Sequence, residues 1–140
     1  AIQAWGRSSG RFYLLDQVRG RMSYTEARSA LLGLVGKWPA AHLKLIESKA
    51  NGDAILDDLR GAVPGLVGFN PTASKEARAE VAAVHFEAGD VFLPEPRSAP
   101  WVGDYVEELA AFPTGANDDQ VDATAQMLIR WGSSGIFGAG

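Results

Sequence analysis

The chain has 140 residues, a length typical of one domain, and its 46% hydrophobic and 21% charged residues are typical of globular proteins. The net charge of −4 argues against a broad surface for non-specific nucleic-acid binding, but it is compatible with a local basic strip. Cysteine is absent, which excludes disulfides, thiolate zinc sites and cysteine nucleophiles. With only His42 and His85, a Ser-His-Asp hydrolase is not favoured. No apolar run reaches the roughly 18 residues of a membrane span.

The first part of the chain predicts a β-hairpin followed by a helix. The runs Ala1–Trp5 and Arg11–Val18 are apolar and aromatic, and a glycine-containing loop separates them. Ser23 and Glu26 have capping-box spacing, so a helix is predicted to begin there and to end before Trp38-Pro39.

Strands and helices then alternate along the rest of the chain. Strands are predicted at His42–Glu47, Gly65–Phe69 and Asp90–Leu93, and helices at Asn51–Arg60, Ser74–Ala88, Trp101–Ala111 and Asp118–Trp131. This order predicts an α/β fold in which helices cover a mixed sheet. We expect one domain over residues 1–131 and a flexible, Gly/Ser-rich tail over residues 132–140.

Three carboxylates lie within five residues where the last helix is predicted to begin. They belong to Asp118, Asp119 and Asp122, and the first and last of these share a helix face because they are four residues apart. Hard cations such as Mg²⁺ prefer oxygen ligands of this kind. Acids in a first turn also cap free N–H groups and complement the helix dipole. The spacing alone leaves both interpretations open.

Two further features are compatible with phosphate chemistry. Glu47 ends a predicted strand, and ligands of open α/β sheets gather at the carboxyl ends of strands, although a solvated strand end would look the same. Lys75 and Arg78 lie near a helix start, where they could contact a phosphate or form a solvated face. Glu47 with Asp118 and Asp119 would form the split carboxylate site that two-metal phosphodiester hydrolysis needs.

Four segments of the chain resemble, in this order, the C-terminal nuclease domain of tailed-bacteriophage terminase large subunits. The segments are Arg11-Phe12-Tyr13-Leu14-Leu15-Asp16-Gln17-Val18-Arg19, Leu45-Ile46-Glu47-Ser48-Lys49-Ala50-Asn51-Gly52, Ser74-Lys75-Glu76-Ala77-Arg78-Ala79, and Phe112-Pro113 followed by Gly115 and Asn117-Asp118-Asp119-Gln120-Val121-Asp122-Ala123. The likeness runs from the first residues to about Trp131. It implies a ribonuclease-H-like fold and a metal-dependent endonuclease that cuts concatemeric double-stranded viral DNA during genome packaging.

The resemblance also implies roles for particular residues. Glu47, Asp118 and Asp119 fall on the family's catalytic acids and would hold Mg²⁺ or Mn²⁺, as two ions, with Asp122 in support. Lys75 and Arg78 would lie near the DNA backbone or brace the site. The implied partners are double-stranded DNA, the terminase ATPase domain, the portal protein and the small terminase subunit, in the cytoplasm of the bacterial host.

One departure from the family pattern concerns the region before Ala1. The resemblance implies a further catalytic Asp on a strand upstream of Ala1–Trp5, so we interpret the chain as a piece of a longer protein whose sheet lacks its first strand. Asp16 is expected to be structural rather than a substitute for that acid. Two alternatives stay open: a non-catalytic fragment that docks on DNA or packaging partners, and a junction resolvase, which would prefer branched DNA.

Overall fold

The structure, a computed structural model, describes residues 1–49, 51–70 and 73–137, with side chains as far as Trp131. Within this part the strands are β1 (Ile2–Ser8), β2 (Arg11–Val18), β3 (Leu43–Glu47), β4 (Leu66–Phe69) and β5 (Val91–Phe92). The helices are α1 (Tyr24–Lys37), α2 (Asn51–Leu59), α3 (Lys75–Ala88), α4 (Val102–Ala111) and α5 (Asp119–Phe137). The predicted order of strands and helices is confirmed.

Strands β1 and β2 form the predicted hairpin, with a shorter loop than expected. β1 continues to Ser8, three residues beyond the predicted end at Trp5, so the turn consists of Ser9 and Gly10. Both turn residues have positive φ, 53° and 78°, as the tightest hairpin turns require. The pairing register between β1 and β2 shifts between Ala4 and Trp5. Ala4 lies opposite Asp16 and Trp5 opposite Leu14, so Leu15 of β2 is not opposite a residue of β1.

The five strands form one mixed sheet in the order β4-β3-β1-β2-β5. β1 is antiparallel to both of its neighbours and pairs with β3 from Ile2 opposite Ile46 to Trp5 opposite Leu43. The outer pairs, β3 with β4 and β2 with β5, are parallel. A mixed sheet flanked by helices is therefore confirmed, whereas a further strand before β1 stays a prediction.

Helices cover both faces of the sheet. Alternate strand residues point to opposite faces, so Leu45 belongs to one apolar cluster and its neighbour Ile46 to the other. Helices α1 and α2 pack on the Ile46 side, through residues such as Leu31 and Ile55. Helices α3, α4 and α5 pack on the Leu45 side. None of the described helices is long and apolar enough to cross a membrane.

The local sequence determines where α1 begins. The predicted capping box of α1 is confirmed, because Ser23 Oγ accepts from the backbone N–H of Glu26 and the Glu26 carboxylate accepts from that of Ser23.

Helix α5 begins at Asp119, one residue later than predicted, and continues beyond Trp131 to Phe137. The last three residues of the predicted tail, 138–140, lie outside the described residues, and the domain boundary at 131 stays a prediction.

Candidate functional site

Glu47 is the last residue of β3 and lies half-buried at the end of the sheet. It is paired with Phe69 of the parallel neighbour β4. Helix α2 begins just beyond it and approaches so closely that a Cβ on Gly52 would lie 1.9 Å from the carbonyl oxygen of Glu47. Only glycine fits at such an approach, so Gly52 allows the start of α2 to lie against the end of β3.

Two ion pairs join the beginning of α3 to the beginning of α5. Lys75 Nζ lies 3.3 Å from Asp118 Oδ2, and both side chains are substantially exposed. Arg78 Nε donates to Asp122 Oδ1 at 2.7 Å, and these side chains are only 9% and 13% exposed. Arg78 also donates to the carbonyl oxygen of Ala73. The two cations predicted near a helix start, Lys75 and Arg78, therefore contact acids at the beginning of α5, one just before it and one within it.

Glu47, Asp118 and Asp122 are here called the acidic cluster, because the charges of Glu47 and Asp118 both act on Asp122. Burial raises the pKa of Asp122, and the negative charges of Asp118 and Glu47 raise it further, while Arg78 opposes the shift. Glu47 ends β3, whereas Asp118 immediately precedes α5 and Asp122 lies in its first turn.

Asp119 contacts a different set of residues. Arg19 donates to its carboxylate from Nη2 at 3.0 Å and from Nε at 3.4 Å. Burial acts to raise the pKa of Asp119, but the hydrogen bond and charge of Arg19 outweigh it, so this pKa is lowered. Asp119 also lies 3.8 Å from the backbone nitrogen of Ala1, just before β1.

A cleft of about 490 Å³ opens beside Asp118 and Asp119 and is lined also by Arg21.

A buried acid that the sequence pattern did not reveal lies under the start of α5. Glu108 of α4 is 7% exposed, and its carboxylate accepts from Gln120 Nε2 at 2.8 Å and from the backbone N–H of Val121 at 2.7 Å. Burial raises the pKa of Glu108 despite these hydrogen bonds. The available signal was its position three residues after Tyr105, on the buried face of the helix.

Gln120 and two further glutamines connect α5 to the sheet. Gln17 donates to the Gln120 side chain, and Gln3 donates to Gln17 at 3.1 Å. All three side chains are buried, which is unusual for glutamine and requires this mutual hydrogen bonding. The network fixes the first turn of α5, which carries Asp119 and Asp122, relative to β1 and β2.

Comparison with protein families identifies the chain. Residues 1–130 match the family model described as Terminase RNaseH-like domain. The chain belongs to this family. Membership confirms the resemblance and the ribonuclease-H-like fold, and it supports a nuclease or packaging role, with DNA and packaging partners, in general. No curated protein matched the chain, and no solved structure matched it either.

The carboxylates described above in this terminase domain offer oxygen donors, the ligand type that hard cations such as Mg²⁺ prefer. They do not form a complete coordination shell on their own. Among the residues that the structure describes, no group of three or more His, Asp or Glu side chains is positioned to hold a metal ion. Magnesium is usually held by only one or two carboxylates, with water and substrate phosphate as the remaining ligands. The oxygen donors of the acidic cluster fit such a partial site.

Asp16 of the terminase domain has a structural environment away from the acidic cluster. Its carboxylate accepts from the indole Nε1 of Trp38 at 3.0 Å and of Trp101 at 3.1 Å, and Lys37 Nζ lies 2.9 Å away. Trp38 follows α1 and Trp101 precedes α4, so Asp16 connects the helix layers on the two faces of the sheet. This geometry supports the structural role expected for Asp16.

Proposed function

We propose that this terminase domain is a metal-dependent endonuclease that cleaves concatemeric double-stranded viral DNA during genome packaging, in the cytoplasm of the bacterial host. The observation that carries the proposal is the placement of the carboxylates: Glu47 ends β3, and Asp118, Asp119 and Asp122 lie at the start of α5, where Lys75 and Arg78 pair with two of them. Crowded carboxylates at a strand end are characteristic of functional sites. The family match over residues 1–130 supports the same class of function.

The acids would act as ligands for Mg²⁺ or Mn²⁺, present as two ions. We assign Glu47, Asp118 and Asp119 as the catalytic ligands, with Asp122 as the supporting ligand. When bound, such ions activate the attacking water and stabilise the leaving oxygen of the phosphodiester. The chain itself would supply oxygen donors from two places, the end of β3 and the start of α5.

The basic residues of the site have separate roles in this proposal. Lys75 is half-exposed, so its ammonium group can contact the DNA backbone while remaining near Asp118. Arg78 is enclosed and bonded to Asp122, so it would brace the site rather than reach far into solvent. Arg21 is exposed and lines the cleft beside Asp118 and Asp119, where a phosphate group could approach.

Cleavage of supercoiled plasmid in Mn²⁺ tests the assignment, using the complete subunit that contains this domain and the chain itself in parallel. Glu47→Gln and Asp119→Asn should each lower the cleavage rate by about a hundredfold or more, as expected for loss of transition-state charge stabilisation. Glu80→Gln and Asp57→Asn change exposed acids on α3 and α2 and serve as matched controls. Unchanged cutting by Glu47→Gln or Asp119→Asn, with the fold intact, would reject the assignment.

A second candidate function is a non-catalytic fragment that docks on DNA or on packaging partners such as the portal protein, the small terminase subunit or the ATPase domain. The favouring observation is that Asp118, Asp119 and Asp122 each already have a cationic partner. Gel-shift and cleavage assays separate the two candidates. Binding to linear DNA without cleavage in Mg²⁺ or Mn²⁺, by the chain and by the complete subunit, would favour docking.

A further inference from the structure

Arg19 lies just after β2 and faces two carboxylates that come from different helices. Its Nη2 donates to Asp119 Oδ1 at 3.0 Å and its Nε to Asp119 Oδ2 at 3.4 Å, so both oxygens of that carboxylate are engaged. The same Nη2 lies 3.6 Å from Glu108 Oε1, which is too far for a hydrogen bond but within ion-pair distance. One guanidinium therefore lies between a proposed metal ligand and a buried acid.

The two carboxylates differ in how firmly they are held. The Glu108 side chain is only 3% exposed, and its two oxygens accept from Gln120 Nε2 and from the backbone N–H of Val121. The Asp119 side chain is 42% exposed and lines the open cleft beside Asp118. Because Glu108 is fixed and the Arg19 side chain is long and 31% exposed, Arg19 is the group that can change its partner.

A second cleft gives the Arg19 side chain another place to lie. This cleft has a volume of about 350 Å³ and is lined by Arg19 and by three acids of α4, namely Asp104, Glu107 and Glu108. Arg19 also lines the cleft of about 490 Å³ beside Asp119, so it lies in the wall that the two clefts share. Asp104 and Glu107 are exposed, and neither forms an ion pair with another described side chain. A guanidinium turned towards Glu108 would therefore meet uncompensated negative charge.

We propose that Arg19 is a positioning residue that exchanges between Asp119 and Glu108, an inference that rests on the proposed metal-dependent cleavage. Arg19 holds both oxygens of Asp119, and it releases them by turning towards Glu108 when Asp119 serves as a ligand of Mg²⁺ or Mn²⁺. The guanidinium and a divalent cation on the same carboxylate repel each other, whereas the acids of the second cleft attract the guanidinium. Arg19 thus competes with the metal for Asp119 and acts on the reaction only through that carboxylate.

Binding of Mn²⁺ to the complete subunit that contains this domain tests the proposal without relying on cleavage, and the electron paramagnetic resonance signal of free Mn²⁺ measures it. Asp119→Asn identifies the share of the binding that depends on this carboxylate. Arg19→Gln should tighten that share about fivefold, the size of change expected from loss of one partly exposed ion pair. Arg21→Gln is the matched control, because Arg21 lines the same cleft as Asp119 and forms no ion pair with another described side chain. It removes the same charge and should change the affinity less than about twofold.

Glu108→Gln tests the second position of Arg19. It should weaken Mn²⁺ binding, because the guanidinium loses its alternative partner and stays on Asp119. In an Arg19→Gln background the same substitution should have no further effect, because both substitutions act through the guanidinium. Circular dichroism verifies that each variant is folded. Asp104→Asn changes an exposed acid of the same cleft and repeats the test if the buried Glu108→Gln variant does not fold.

Tighter Mn²⁺ binding by Arg19→Gln than by Arg21→Gln, with the effect of the cleft acid confined to proteins that keep Arg19, would support the exchange. If Asp119→Asn weakens binding but Arg19→Gln binds no more tightly than wild type or Arg21→Gln, Arg19 does not compete for Asp119. The exchange is then overturned while the proposed metal site stands. Equal weakening by Glu108→Gln with and without Arg19 would likewise overturn the exchange. If Asp119→Asn leaves Mn²⁺ binding unchanged, the assignment of Asp119 as a metal ligand fails, and the exchange fails with it.

Discussion

Arg78 of α3 donates a 2.7 Å hydrogen bond to Asp122 of α5, and both side chains are almost fully enclosed. Burial raises the pKa of Asp122, the charges of Asp118 and Glu47 raise it further, and Arg78 opposes these effects. Arg78 therefore compensates the charge of Asp122, while Lys75 pairs with the neighbouring Asp118.

We expect Arg78→Met to destabilise the domain by about 3 kcal/mol, because removal of one partner leaves a buried, uncompensated carboxylate. Urea unfolding measures the change. The double variant with Asp122→Leu should be more stable than Arg78→Met alone, since it removes the unpaired charge. A cost below about 0.5 kcal/mol for Arg78→Met, typical of an exposed substitution, would contradict this account.

Asp16→Asn should destabilise the domain by about 1–3 kcal/mol at neutral pH, because one indole N–H loses its charged acceptor and Lys37 loses its ion pair. Burial acts to raise the pKa of Asp16, but the hydrogen bonds from Trp38 and Lys37 outweigh it and the pKa is lowered.

The sign of the pH dependence follows from that lowered pKa. The stabilisation by Asp16 is fully present above the unfolded-state pKa, near 3.8, and it is lost as pH falls through the folded-state value. Unfolding free energies of wild type and Asp16→Asn should therefore differ at pH 7 and converge as the pH is lowered below that range. A difference that stays constant with pH would show that the Asp16 charge contributes nothing.

Gly52→Ala should destabilise the domain by about 2–3 kcal/mol, because the new Cβ would lie 1.9 Å from the Glu47 carbonyl oxygen and the backbone must shift. Gly33→Ala is the matched control: it lies in helix α1, with nothing within 4 Å of its added Cβ. That control should stabilise the domain by about 0.5–1 kcal/mol. Thermal unfolding of both variants measures the contrast, and equal melting temperatures would refute the close approach.

The sequence was most informative where structure is decided locally. The capping box at Ser23 and Glu26 and the alternation of the hairpin depend on neighbouring residues, so both were predicted. The positions of Glu47 at a strand end and of Asp118 before a helix were also predictable from local patterns, whereas their joint role in a metal site stays a prediction.

Pairings between distant residues could not be predicted in the same way. Arg19 contacts Asp119 across 100 positions of the chain, and that contact depends on how α5 is rotated against the sheet. The register shift at Leu15 and the burial of Glu108 could not be predicted for the same reason. Both depend on how separate elements pack together, and not on the spacing of residues within one strand or helix. A single sequence carries no direct record of such contacts.

The most direct test of the central claim is cleavage of supercoiled plasmid in Mn²⁺ by the complete subunit, with wild type beside Glu47→Gln and the Glu80→Gln control. We predict that wild type and Glu80→Gln cut the plasmid, and that Glu47→Gln loses about a hundredfold or more of this activity without unfolding. If a folded Glu47→Gln protein cuts as fast as wild type, or if wild type does not cut at all, the nuclease assignment of the acidic cluster is wrong.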